Sequence, residues 1–178
     1  MPERQLRAVA RRRYELARVR LGLGRALWAL PFIAASLGGC RGHTVWSLTA
    51  GALLLGTIAV LGWRGQRWGR AVAPGLQAAI APVLVPYLMR LLHGDHGCAG
   101  DCAPLCLLLC IGTGLVGGFV VGLRERGGQP LDLVAAGAVA VLAGSLGCVT
   151  GGLPGLVGMA VAVAGVGTPI ALLAPARR

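Results

Sequence analysis

Lysine is absent from this chain, and acids are scarce. Its 178 residues include six Asp and Glu against 17 basic residues, every one an arginine, for a formal net charge of +11. Charged residues make up only 13% and aromatics only 4%. A soluble domain usually carries about 25% charged residues, so the shortage excludes an ordinary soluble fold. It excludes intrinsic disorder too, because disordered chains are polar and rich in charge. The 30 glycines follow no strict triplet repeat, which excludes a collagen-like helix. What fills the chain is apolar: 56% of residues, with a mean hydropathy of +0.73. This composition predicts a small all-α membrane protein in which one span takes roughly 20 residues.

Six apolar runs can be marked, at about 21–40, 44–63, 71–92, 103–123, 131–150 and 153–174. None alternates apolar with polar residues, as barrel strands would. Helices are expected, since every backbone N–H and C=O must be paired inside lipid. The arginines set the expected orientation. Arg4, Arg7, Arg11, Arg12, Arg13, Arg18, Arg20 and Arg25 precede the first run or lie near its start. Arg64, Arg67 and Arg70 follow the second, Arg124 and Arg126 the fourth, and Arg177 and Arg178 the last. Only Arg41 and Arg90 would fall on the other side. Cytoplasmic loops collect basic residues, so the expectation is a six-helix bundle with both termini inside. Its expected location is a bacterial inner (cytoplasmic) membrane, crossed several times. The long basic start and the immediate succession of spans argue against a cleaved signal peptide. The arginines are thus explained by topology, and direct nucleic-acid binding is not expected.

Catalytic signatures are missing as well. There is no Gly-x-Ser-x-Gly element, no phosphate-binding Walker loop and no His-Glu-x-x-His pair. Arg25, Arg90 and Asp132 lie near span ends, where side chains can reach water. Gln77 and Thr113 are isolated polar residues of the kind that hydrogen-bond between helices. An enzyme is not expected. Small residues recur every fourth position, at Gly114, Gly118 and Gly122 and again at Ala136, Ala140 and Gly144. Such stripes let helix backbones approach closely, and packing inside the bundle is the expected use.

Two segments hold the candidate functional residues. Residues 1–20 form a basic cytoplasmic segment ahead of the transmembrane domain at 21–178. Read as a helix, Leu6, Ala10, Tyr14, Ala17 and Leu21 share one stripe, with arginines on the remaining face. Two readings compete: a helix lying on anionic lipid, and a helix docked on a cytoplasmic protein. The second segment lies between the third and fourth runs and holds His93, His96, Cys98, Cys102, Cys106 and Cys110. Cys40 and His43 end the first run, and Cys148 lies near the end of the fifth. All six cysteines therefore cluster toward the expected outer face. Three readings stay open. Cys106 and Cys110 suit the role of small apolar packing residues. Cys98 and Cys102 suit a disulfide in an oxidising compartment, whose pairing spacing alone does not reveal. His93, His96, Cys98 and Cys102 could instead hold a soft metal ion, zinc or copper.

The second half of the chain carries a further pattern. A cysteine-bearing span leads into residues 123–130, Leu-Arg-Glu-Arg-Gly-Gly-Gln-Pro. An Ala/Gly-rich span follows and ends near Cys148. Across about residues 98–150 this resembles the six-span bacterial membrane anti-sigma factors of the NrsF type. The resemblance implies a regulatory protein that holds an extracytoplasmic-function sigma factor at the membrane. It also implies an outer-side cysteine pair that senses metal or oxidative stress, here Cys148 with one of Cys98, Cys102 or Cys106. Two other classes remain at this stage: a small carrier for soft metal ions, and a structural subunit of a larger membrane complex.

Overall fold

The computed structural model describes residues 3–37, 44–93, 103–126, 128–147 and 152–173. Among these residues every regular element is helical. Helix α1 spans Glu3–Ala26 and leads through a 3-10 turn at Leu27–Ala29 into α2, Leu30–Leu37. Then come α3 (Thr44–Arg64), α4 (Gln66–Arg70), α5 (Val72–Ala78), α6 (Ile80–His93), α7 (Ala103–Arg124), α8 (Pro130–Ser145) and α9 (Gly152–Leu172).

Prolines decide where the helical path breaks. Proline has no N–H for the carbonyl four residues back. Pro31 cannot serve Leu27, so the Leu30 N–H takes that carbonyl in a tighter turn. Pro82 cannot serve Ala78, and the chain turns at Ala79, whose N–H reaches Leu76 O at 3.1 Å. The apolar run at 71–92 is thus carried by two helices rather than one. The expected boundary at residue 20 falls inside α1, which crosses it without a break.

Among the described residues three helices are long and apolar enough to cross a membrane: α3, the stretch of α7 at Leu107–Arg124, and α9 from Leu153. Only about a third of each lies inside the bundle. Val45, Leu48 and Leu53 on α3, Val116 and Phe119 on α7, and Val157 and Val161 on α9 all face outward. A soluble monomer rarely exposes apolar surface on this scale, whereas lipid solvates it. Helix α8 is the exception. It sits at the centre, with Ala135, Ala136, Val139, Ala140, Ala143 and Gly144 buried, and at 16 residues it runs about 24 Å.

Backbone-to-backbone approach at glycines holds the bundle together. A methyl group on Gly118 would lie 2.7 Å from Val163 O and 2.9 Å from Val163 Cα. One on Gly114 would meet Met159 and Ala162, and one on Gly122 would meet Gly167 and Ile170. The stripe on the fourth apolar run therefore packs α7 against α9, inside the molecule. The rising pairs of numbers show that these two helices run parallel. Gly75 against Ala136 and Val139, and Pro82 against Gly144 and Gly147, make α5–α6 and α8 parallel as well. Gly22 against Ala59 and Gly62, with Ile33 against Gly51, makes α1–α2 antiparallel to α3.

The polar side chains in the helices satisfy themselves. Thr113 donates to Leu109 O at 2.7 Å and Ser145 to Leu142 O at 2.7 Å. Ser36 does the same to Ile33 O at 2.8 Å. Thr113 was expected to join two helices. It bonds back to its own helix instead, which satisfies the hydroxyl without a partner. Gln77 is exposed on α5 rather than set between helices.

Candidate functional site: the projecting basic helix

Helix α1 leaves the bundle as an unbroken continuation of its packed half. The packed half is held by Gly22, whose added methyl would sit 2.8 Å from Ala59 O. Toward the start of the chain, residues 9–17 are all exposed. From Arg18 to Glu3 the helix extends about 22 Å at 1.5 Å per residue. The expected stripe lies on this projection. Ala10 and Ala17 are exposed, Tyr14 is 63% exposed, and the Leu6 side chain lies outside the described residues. Leu21, at the root of the projection, is exposed as well. The described members of the stripe, Ala10, Tyr14, Ala17 and Leu21, are thus all exposed. Sequence reasoning missed Val9, Leu16 and Leu23, three exposed residues seven apart that form a second apolar line. Their seven-residue spacing was the available signal.

The basic side chains around the stripe are ordered along the helix. Arg11 Nε donates to Glu15 Oε1 at 3.3 Å, an exposed pair one turn apart. Such pairs stabilise a helix by only a few tenths of a kcal/mol, about 0.3–0.5. Arg18 lies over the Tyr14 ring, 5.5 Å from its centre, a cation–π contact that fixes the ring's direction.

No family model, curated protein or solved structure matches this chain. The projecting helix therefore has to be read on its own chemistry: an apolar stripe edged by arginines, carried on a rigid base.

The segment at 123–130, described except for Gly127, is the other part of the expected pattern. Glu125 N–H donates to Val121 O and Gly128 N–H to Glu125 O, both at 2.9 Å, which closes the chain on itself. Pro130 takes the first position of α8, where its missing N–H costs nothing. Asp132 lies in that first turn, where the helix dipole favours an acid. Burial, and next the Asp132 carboxylate, push the Glu125 carboxyl above the ordinary carboxylate range. The folded protein then holds a proton there that the unfolded chain has already lost, so stability falls as pH rises through that range. Glu125→Gln is expected to raise the melting temperature at pH 7 and leave it little changed at pH 4. Equal shifts at both values would count against this assignment.

The expected thiol and imidazole cluster lies mostly outside the described residues. Cys40, His43, His96, Cys98, Cys102 and Cys148 fall outside them, as do the side chains of His93 and Cys106. The metal set of His93, His96, Cys98 and Cys102 therefore has no described geometry. Among the described residues no three His, Cys, Asp or Glu converge. Cys110 is the exception. It is 4% exposed and disulfide-bonded, with its partner among cysteines whose side chains lie outside the described set. Its expected role was packing alone, and the disulfide corrects this.

Proposed function

We propose that this chain is an integral regulatory protein of a bacterial inner membrane. In this reading it presents helix α1 to a cytoplasmic sigma factor and reads metal or oxidative stress through cysteines on the outer side. One observation carries the reading. Helix α1 runs unbroken from the bundle into its exposed turns, with the stripe of Ala10, Tyr14 and Ala17 unpartnered. A helix lying flat on lipid would need a sharp bend near residue 20, and α1 continues as one helix from Glu3 to Ala26, through Gly22 and Gly24. A projecting amphipathic helix suits a partner groove instead.

The proposed topology has six spans and both termini in the cytoplasm. Its supports are the helix directions and the arginines. The parallel pairs, α5–α6 with α8 and α7 with α9, are what alternate crossings require. They bring Arg18, Arg25, Arg64, Arg70, Arg124 and Arg126 to one end. The disulfide at Cys110 lies toward the other end, and disulfides persist in oxidising compartments. The bilayer is then one partner and the sigma factor the other. No cofactor is needed for the helix to act, and a soft metal at the outer loop would belong to the sensing step.

The test uses Leu6→Asp with Tyr14→Asp in the full chain. Losing a buried large apolar side chain costs about 1.5–3 kcal/mol, so partner capture should fall more than tenfold while membrane insertion is unchanged. Co-purification of every cytoplasmic partner at wild-type levels would return the segment to a lipid-surface role.

A further inference from the structure

We infer that the groove between α1 and α4 binds a phosphate group, presented by an anionic lipid headgroup. The inference rests on the membrane reading and is independent of any protein partner. Arg11, Arg18 and Arg25 are seven residues apart and so share one ridge of α1. Arg11 is neutralised by Glu15 outside the bundle. The next two reach the segment that follows α3. The Arg18 guanidinium lies 3.2 Å from where a methyl on Gly65 would sit, and a methyl on Gly69 would overlap the guanidinium of Arg25.

Those two glycines make the groove. Gly65 takes a φ of 134°, a left-handed backbone that favours glycine, and turns the chain from α3 into α4. The Gly69 N–H donates to Gly65 O at 3.1 Å, so the two positions are one helical turn apart. Each guanidinium is thus seated on bare backbone, Arg18 at Gly65 and Arg25 at Gly69 one helical turn on. Arg64 and Arg70 flank them in sequence. No acid occurs in residues 16–94. Neither Arg18 nor Arg25 forms an ion pair among the described residues, where Arg11 with Glu15 is the pair seen. Two arginines on one groove with no carboxylate partner among the described residues suit an anion, and the planar fork of arginine matches phosphate oxygens two at a time.

The position selects the source of that phosphate. Trp68 is half-buried against the core and Trp63 is half-exposed at the end of α3, and indole rings sit at the headgroup level. Basic pockets between spans on the cytoplasmic side take anionic headgroups. The groove therefore faces lipid phosphodiesters before it meets free phosphate.

The test measures the melting temperature of the full chain in a neutral detergent. Phosphatidylglycerol, cardiolipin, phosphatidylcholine or inorganic phosphate is added in separate titrations. The two anionic lipids should stabilise the wild type and phosphatidylcholine should not. Arg18→Gln with Arg25→Gln should weaken the apparent affinity at least tenfold. Gly69→Leu should do the same with every charge kept, because it fills the seat of the Arg25 guanidinium. Arg12→Gln with Arg13→Gln, on the projecting turns, should respond as wild type. Stabilisation by inorganic phosphate at least as strong as by either lipid would overturn the lipid assignment. A wild-type response in either groove variant, or an equal loss in the Arg12 and Arg13 variant, would overturn the site.

Discussion

Gly118→Val should force α7 away from α9 and cost the bundle about 2–3 kcal/mol, the upper part of the usual range for overpacking. The atoms in the way are the carbonyl oxygen and Cα of Val163, at 2.7 and 2.9 Å from the added Cβ. Backbone atoms cannot step aside by changing rotamer, so the helices themselves must part. In lipid no hydrophobic effect pulls them together again, and close contact is most of what joins them. Gly112→Val is the matched control. Nothing lies within 4 Å of a Cβ at Gly112, so this change should be nearly neutral. Thermal melts in detergent decide the matter: equal melting temperatures for the two variants would remove the α7–α9 seam as the principal joint.

Reduction of the disulfide at Cys110 should be the second large effect. Removing a native disulfide typically costs about 2–5 kcal/mol, and Cys110 is buried, so its loss also disturbs packing. Cys110→Ser and reductant should each lower the melting temperature, and reductant should lower it less in the Cys110→Ser protein than in the wild type. Intact-mass measurement under non-reducing conditions reads the bond directly. The regulatory reading adds a further expectation. Reduction should change how much cytoplasmic partner α1 retains, if the bond at Cys110 belongs to the sensing step. Retention that is identical in the oxidised and reduced forms would leave the disulfide as a structural staple and remove the thiol switch.

The two candidate segments differed in how much could be read in advance. The stripe through Ala10, Tyr14, Ala17 and Leu21 was visible because helical periodicity is local: residues three and four apart share a face wherever the helix goes. Whether that face is covered is not local. Only the packing of Gly22 on α3 shows that the bundle stops short of Tyr14 and leaves it exposed. Cys110 shows the reverse case. An apolar neighbourhood pointed to a packing role, but a cross-link depends on which distant thiol the fold brings near, and spacing along one helix carries no such information.

The sequence by itself determined an all-helical chain with helices long and apolar enough to cross a membrane, because 56% apolar residues with 13% charge are far from the composition of a soluble domain. It also determined the small-residue stripes and the gathering of arginines near run ends, since these are properties of composition and period. Tertiary structure decided that the stripe at Gly114, Gly118 and Gly122 is spent on α9, and that α8 is the central helix. It decided too that Arg18 and Arg25 come to rest on Gly65 and Gly69. The physical reason is range. Periodicity and proline breaks act within a few residues, whereas a close helix contact requires two small residues, distant in sequence, to arrive at the same height on facing helices. That coincidence of heights is set by the lengths and directions of all the helices together.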